Sequence, residues 1–297
     1  MSHDTQTGDT ADAFQGSFAQ AAPATKARER TVGAIEEHGL VRNVTDLDAR
    51  GYTVIEDAAP QELFTEVRQA IVDVTDEHRA RGVTPFDFGP NTSMVYRLLA
   101  RREVFARAVL TPKLVALMGY LLGEGYVAQV TTGSILEEGA QAGPLHADNQ
   151  FFPEPFPVQP QVATAIWCCD RFDEPEGSTH IVPGSHRRFR HPRPGEGLDD
   201  AVPVVAEAGS IVVWTGHTWH RSGARTVPGE RVALHTAFSR PHVRVFEAYT
   251  PDEVQQLVAY DGRFTRLLGA DLPYDCTDDS PDPMKLLALA MTTQAQA

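Results

Sequence analysis

Cysteine, positive charge and long apolar runs are all scarce in this sequence. Its 297 residues contain three cysteines, two of them adjacent at Cys168 and Cys169, too few for a disulfide framework. Neighbouring residues on a strand face opposite sides, so the pair is expected to supply core and near-core thiols, as suits a reducing compartment. Lys and Arg number 26 against 40 Asp and Glu, a formal net charge of −14. That deficit excludes a general nucleic-acid binder, whose phosphate contacts need a basic face. No apolar run approaches the roughly 20 residues of a membrane span. The N-terminus lacks a basic region followed by an apolar one, so no signal peptide is expected. The expectation is a cytoplasmic protein with neither a nucleic-acid nor a membrane partner.

What is present has the composition of a globular domain: 42% of residues are hydrophobic and 22% charged, within the ordinary range. Residues 1–28 are polar and Ala-rich without an apolar period, and are expected to be a disordered tail. A short strand is expected at 51–55. Pro60 then opens a helix on which Leu63, Val67, Ile71 and Val74 recur at helical spacing. A second helix is expected over 112–122, stopped by Gly123 and Gly125. Beyond Gly125, short Val-, Ile- and Thr-rich runs alternate with Gly and Pro turns. They fall at 126–136, 162–170, 178–182, 203–206, 210–215 and 231–239. Such spacing predicts a sandwich or barrel. Residues 250–268 return to helical spacing, and 273–297 form an acidic, then Ala-rich, segment. One domain over 29–272, mainly β with flanking helices, is the expected organisation.

The chemistry is concentrated in a few segments. His146 and Asp148 are two apart in Pro144-Leu-His-Ala-Asp, so in extended backbone both project from one face. One imidazole and one carboxylate make two-thirds of a facial triad for non-haem Fe(II). The segment Trp214-Thr-Gly-His217-Thr-Trp219-His220-Arg-Ser222-Gly223 offers two histidines, either of which could complete it. Arg231 lies 11 residues beyond His220, and a hairpin would set it beside the strand carrying that histidine. An arginine deep in a core needs a partner, and its planar fork fits a carboxylate. A dicarboxylate that chelates iron at its other end would supply one.

Taken in order, these pieces resemble the phytanoyl-CoA dioxygenase family of Fe(II)/2-oxoglutarate-dependent oxygenases. The matching residues are Pro144 to Asp148, Ile166-Trp167, Gly177 to His186 with Pro183-Gly184-Ser185, Gly209 to Trp214, Trp219 to Ala224, and Arg231. The resemblance implies a double-stranded β-helix, or jelly-roll, core. It implies Fe(II) on His146, Asp148 and His220, with His220 preferred over His217 by its place before the arginine. It further implies 2-oxoglutarate on Arg231 with Ser222, a tryptophan at Trp167 beside this cosubstrate, and O2 as the oxidant. Hydroxylation of an unactivated C–H, with succinate and CO2 as co-products, is the implied reaction. Desaturation and ring formation start from the same hydrogen abstraction. Asp148 points away from halogenation, since related halogenases lack that carboxylate. Ala147 stands where some relatives carry Gln. A metal-binding jelly roll without oxygenase activity, or a silent protein of this fold, is the competing class.

Period-2 alternation from Arg231 sends Ala233, His235 and Ala237 the same way, so His235 is expected either to line the cavity behind the cosubstrate or to be a satisfied core histidine. Phe86, Phe88, Phe151 and Phe152 are candidates for an apolar lid or, as the commoner place for aromatics, for the core. Arg97 is expected either to meet an acidic group of the substrate or to pair with a local carboxylate. No basic pocket suited to coenzyme A phosphates is apparent, which favours a different small-molecule substrate, of specialised metabolism.

Overall fold

The computed structural model describes residues 22–83 and 89–270. Its strands sort their side chains into two separate interiors, because successive residues of a strand face opposite ways. Three helices come first in the chain around one short strand: α1 (Ala22–Glu37), α2 (Val41–Arg50), β1 (Tyr52–Ile55) and α3 (Gln61–Ala80). Next come β2 (Thr92–Val95), α4 (Glu103–Val109), α5 (Pro112–Leu122), β3 (Val127–Glu137), β4 (Val162–Cys168) and β5 (Thr179–Ile181). The last elements are β6 (Val202–Pro203), β7 (Ile211–Thr215), β8 (His220–Ser222), β9 (Glu230–Ser239), α6 (Pro251–Tyr260) and α7 (Phe264–Leu267).

A six-stranded sheet runs β1-β7-β4-β9-β3-β2 and a three-stranded sheet runs β6-β5-β8, with every pairing antiparallel. The two sheets form the jelly-roll core. Outward-facing Ala163, Ala165, Trp167, Val213, Val232, Leu234 and Phe238 of the large sheet pack on the helices in one apolar cluster. Inward-facing Tyr52, Ile166, Cys168, Val212, Trp214 and Ala233 meet Ile181, Val204 and Phe172 in a second. The large sheet is therefore covered on both faces. Cys168 and Cys169 are free and buried, on either side of this division: Cys168 belongs to the inner cluster and Cys169 to the outer.

Several boundaries depart from the sequence expectations. Helix α1 begins at Ala22, inside the tail expected over 1–28. The helix expected over 250–268 is two helices broken at Asp261, whose carboxylate takes the Arg263 guanidinium. Its start is fixed by a capping box in which Thr250 and Glu253 each accept the other's backbone N–H. Strands β8 and β9 do not form the expected hairpin. β8 pairs with β5 in the small sheet, whereas β9 lies between β4 and β3 in the large one. Phe86, Phe88 and the segment 273–297 lie outside the described residues. Among the described residues, no single helix is long and apolar enough to cross a membrane.

Helix α3 lies close on the outer face because Gly133 of β3 has no side chain. A Cβ built there would sit 2.7 Å from Ile71 Cγ2 and 3.2 Å from Leu98 Cδ1. Gly133→Ala should therefore lower stability by about 1–3 kcal/mol, the usual range for overpacking. Urea denaturation measures this, and an unchanged midpoint would show that α3 shifts freely.

Candidate metal centre

His146 lies outside any strand, in extended backbone that forms a single bridge to His220, the first residue of β8. The two residues exchange both backbone bonds, His146 N–H to His220 O at 3.0 Å and His220 N–H to His146 O at 2.9 Å. Alternation then brings Asp148 to the side of His146. His146, Asp148 and His220 each offer a ligand atom within 4.8 Å of the others. The choice left open between His217 and His220 resolves to His220.

Each imidazole is held in one tautomer by a carbonyl two residues earlier. His146 Nδ1 faces Pro144 O and His220 Nδ1 faces Thr218 O, both at 3.0 Å. A carbonyl only accepts, so each Nδ1 carries the hydrogen and each Nε2 keeps a lone pair. Those Nε2 atoms stand 3.7 and 3.5 Å from Asp148 Oδ1. Asp148 Oδ2 points elsewhere and accepts from Thr164 Oγ1 at 2.7 Å and Trp214 Nε1 at 3.0 Å. Burial pushes the Asp148 carboxyl upward, but His220, His146, Thr164 and Trp214 outweigh it and hold it below the usual carboxylate range. Burial likewise lowers His220 to about 4, against the pull of Asp148. An ionised carboxylate beside a neutral His220 matches the protonation state that metal binding requires. Together with the His146 Nε2, it fits a divalent transition metal.

Arg231 enters the same interior from the opposing sheet. It is 2% exposed, with Nη1 donating to Gly177 O at 2.6 Å and Nε left without a partner. Its guanidinium lies 4.3 Å from the Phe172 ring centroid. Burial lowers its pKa to about 10, so it stays charged at neutral pH. A buried cation with a free donor and an aromatic wall fits an incoming carboxylate. His235 faces inward four residues along β9, with Nε2 2.8 Å from Ser134 Oγ. Burial first, then Arg231 and His220, lower its pKa to about 3. His235 is thus neutral and within electrostatic reach of both the arginine and the triad.

The remaining candidates divide. Ser222 is exposed at the end of β8, and its Oγ accepts from Gly143 N–H at 3.0 Å. Trp167 is a correction. It is fully buried in the outer, helix-facing cluster, because β4 turns Thr164, Ile166 and Cys168 inward and Trp167 out. The tryptophan at the site is Trp214 on the neighbouring strand, bonded to Asp148 and with its ring centroid 4.6 Å from that of His220. Trp214 and Thr164 are the residues that the sequence reading missed. Arg97 takes the local-carboxylate alternative: Nη2 donates to Glu253 at 2.6 Å and Nε to Ala248 O at 3.1 Å. Phe151 is 77% exposed and pairs with Phe246, itself 55% exposed, at 5.6 Å between centroids. Phe152 packs instead against the small cluster of Ala147, Phe156, Val182 and Trp219.

A jelly roll that brings such a triad and a carboxylate-seeking arginine into one interior defines the non-haem iron, 2-oxoglutarate-dependent oxygenases. Within that class the chain belongs to the phytanoyl-CoA dioxygenase (PhyH) family, which its residues 47–233 match. It is 30% identical over 190 residues to the dioxygenase af480 of Aspergillus fumigatus, an alignment covering 61% of each chain. Among solved structures it resembles HygX of Streptomyces hygroscopicus with nickel and 2-oxoglutarate bound, at a TM-score of 0.55 and 18% identity over 71% of this chain and 92% of that one. It is equally similar to the epimerase SnoN in complex with Fe3+, alpha ketoglutarate and nogalamycin RO, at a TM-score of 0.55 and 18% identity, covering 82% and 91%.

His217, the discarded ligand candidate, has a different consequence. It is 3% exposed, stacked on Phe156 at 5.7 Å between centroids, with Nε2 unpaired. Burial lowers its pKa to about 4, below the 6.5 of an unfolded histidine. Protons then bind the unfolded chain first, so stability is full above about pH 6.5 and falls as pH drops toward 4. In the metal-free protein, His217→Phe should lose less thermal stability between pH 7 and 4.5 than the parent. Equal losses would refute this origin.

Proposed function

We propose that His146, Asp148 and His220 hold Fe(II), and that Arg231 with Ser222 binds the distal carboxylate of 2-oxoglutarate. His235 lines the cosubstrate cavity behind it. The reaction is hydroxylation of an unactivated C–H in a small molecule, with succinate and CO2 as co-products. The observation that carries this reading is the buried guanidinium of Arg231, charged and with a free donor, in the same interior as the three ligands. Non-oxidative metal chemistry has no use for it.

Each part of the chain then has a stated task. The two Nε2 atoms and Asp148 Oδ1 would hold a divalent metal ion as three protein ligands, and 2-oxoglutarate and O2 would use the coordination positions these ligands do not fill. Oxygen activation, coupled to loss of CO2 from the 2-oxo acid, is the chemistry that iron supplies when bound. Arg231 orients the far end of the 2-oxo acid, and Phe172 keeps water from the guanidinium. Neutral His235 offers a hydrogen bond without adding charge. The apolar inner walls, among them Ile166, Val212 and Ile181, exclude water from the reacting centre. The exposed Phe151, three residues beyond Asp148, offers an apolar contact for substrate. A substrate of specialised metabolism is supported by likeness to proteins whose bound molecules are hygromycin B and nogalamycin RO.

Anaerobic Fe(II) with 2-oxoglutarate should give a visible charge-transfer band. Replacing one partner of a buried ion pair costs about 3–5 kcal/mol, so Arg231→Met should need at least about a hundredfold more 2-oxoglutarate for that band. Its metal-free stability should be unchanged or higher, because an unpaired buried charge has been removed. His235→Leu should raise the same dissociation constant by a smaller factor. Absence of any band in the parent, with no succinate formed across a broad substrate panel, would leave the non-oxygenase reading. Product mass separates outcomes: a gain of one oxygen is hydroxylation, and a loss of two hydrogens is desaturation or ring closure.

A further inference from the structure

The two oxygens of Asp148 have different surroundings. Oδ1 faces both histidine Nε2 atoms, at 3.5 and 3.7 Å. Oδ2 accepts two hydrogen bonds, from Thr164 and Trp214. These donors are direct cross-strand partners, Thr164 of β4 opposite Trp214 of β7. They therefore reach Oδ2 from adjacent positions on one paired, inward-facing surface. Trp214 is 2% exposed and its indole N–H can only donate. Its ring also leans on His220, with the planes 49° apart. One indole thus touches two of the three ligand residues without being a ligand itself.

We propose that Thr164 and Trp214 are positioning residues that keep Asp148 a one-oxygen ligand. This inference rests on the metal-centre reading above. A free carboxylate can chelate a cation through both oxygens. Here the lone pairs of Oδ2 are directed at two fixed donors, so that oxygen is held away from the metal. The restraint preserves a coordination position which a chelating carboxylate would fill, and which the cosubstrate or O2 requires. It also sets the rotation of the carboxylate, so that Oδ1 faces the two imidazoles before any ion arrives. Loss of such outer partners typically weakens metal binding 10–100-fold.

The test uses the full chain loaded anaerobically with Co(II), whose visible spectrum reports coordination number. Thr164→Val removes the hydroxyl at nearly constant shape, and Thr164→Ser retains it. Trp214→Phe keeps an aromatic ring against His220 and removes the N–H. Both Thr164→Val and Trp214→Phe should weaken Co(II) binding at least tenfold and change the intensity of its visible bands. Thr164→Ser should restore the parent's affinity to within a few-fold and its spectrum. A purely structural role would lower thermal stability without moving the bands. If Thr164→Val folds and binds Co(II) with the parent's affinity and spectrum, the restraint is refuted while the metal centre stands. If the parent itself binds no Co(II), both readings fall.

Discussion

Two backbone hydrogen bonds exchanged between His146 and His220 hold the centre together. They join a segment outside the strands to the first residue of β8, and so set the separation of two imidazoles before any side chain adjusts. Each ring then donates its Nδ1–H to the carbonyl two residues behind it. Both rings follow from the same local geometry, and both lone pairs meet one oxygen of Asp148. The paired strands β4 and β7 supply no ligand and hold the remaining oxygen. The ligand set thus depends on main-chain pairing, which side-chain substitution leaves largely intact.

A second constraint is burial on both faces of the large sheet. It leaves Arg231 charged in the interior, bonded to one carbonyl and lying over one ring, with Asp170 and Glu176 acting on it through space against the cost of burial. Such an arrangement costs stability when the interior holds no anion. An anion that enters recovers part of that cost, so affinity for a carboxylate is built into the folded state. His235 and Ser134 add polar groups to the same interior, joined by one hydrogen bond between Ser134 Oγ and His235 Nε2.

Much of this was legible in the sequence. His146 and Asp148 stood out by residue type and spacing, Arg231 by its need for a buried partner, and the family resemblance singled out His220 over His217; the Val- and Ile-rich runs announced the strands β3, β4, β7 and β9. The phase of those strands was not legible. Residues 162–168 and 211–215 are buried throughout, and a strand buried on both faces carries no polar alternation to mark inside from outside. The family resemblance put Trp167 at the site, and the sequence of β4 carried no phase signal to oppose it or to point to Trp214 instead. The partition of β8 and β9 into different sheets was hidden as well, since chain proximity favours a hairpin and only tertiary packing forbids it. The four-residue β2 and the seven-residue helix α4 have too few residues to show a period.

The position of Cys168 has a consequence for durability. It lies on the inner face of β4, close enough to Arg231 for the guanidinium to favour its thiolate, yet burial dominates and pushes the thiol up to about 12. Oxidation proceeds through the thiolate. The inner face that also carries Arg231 therefore holds its cysteine in the protonated form, the one less reactive toward oxidants that attack the thiolate. The packing that closes the core thus also sets the protonation state of its inner cysteine.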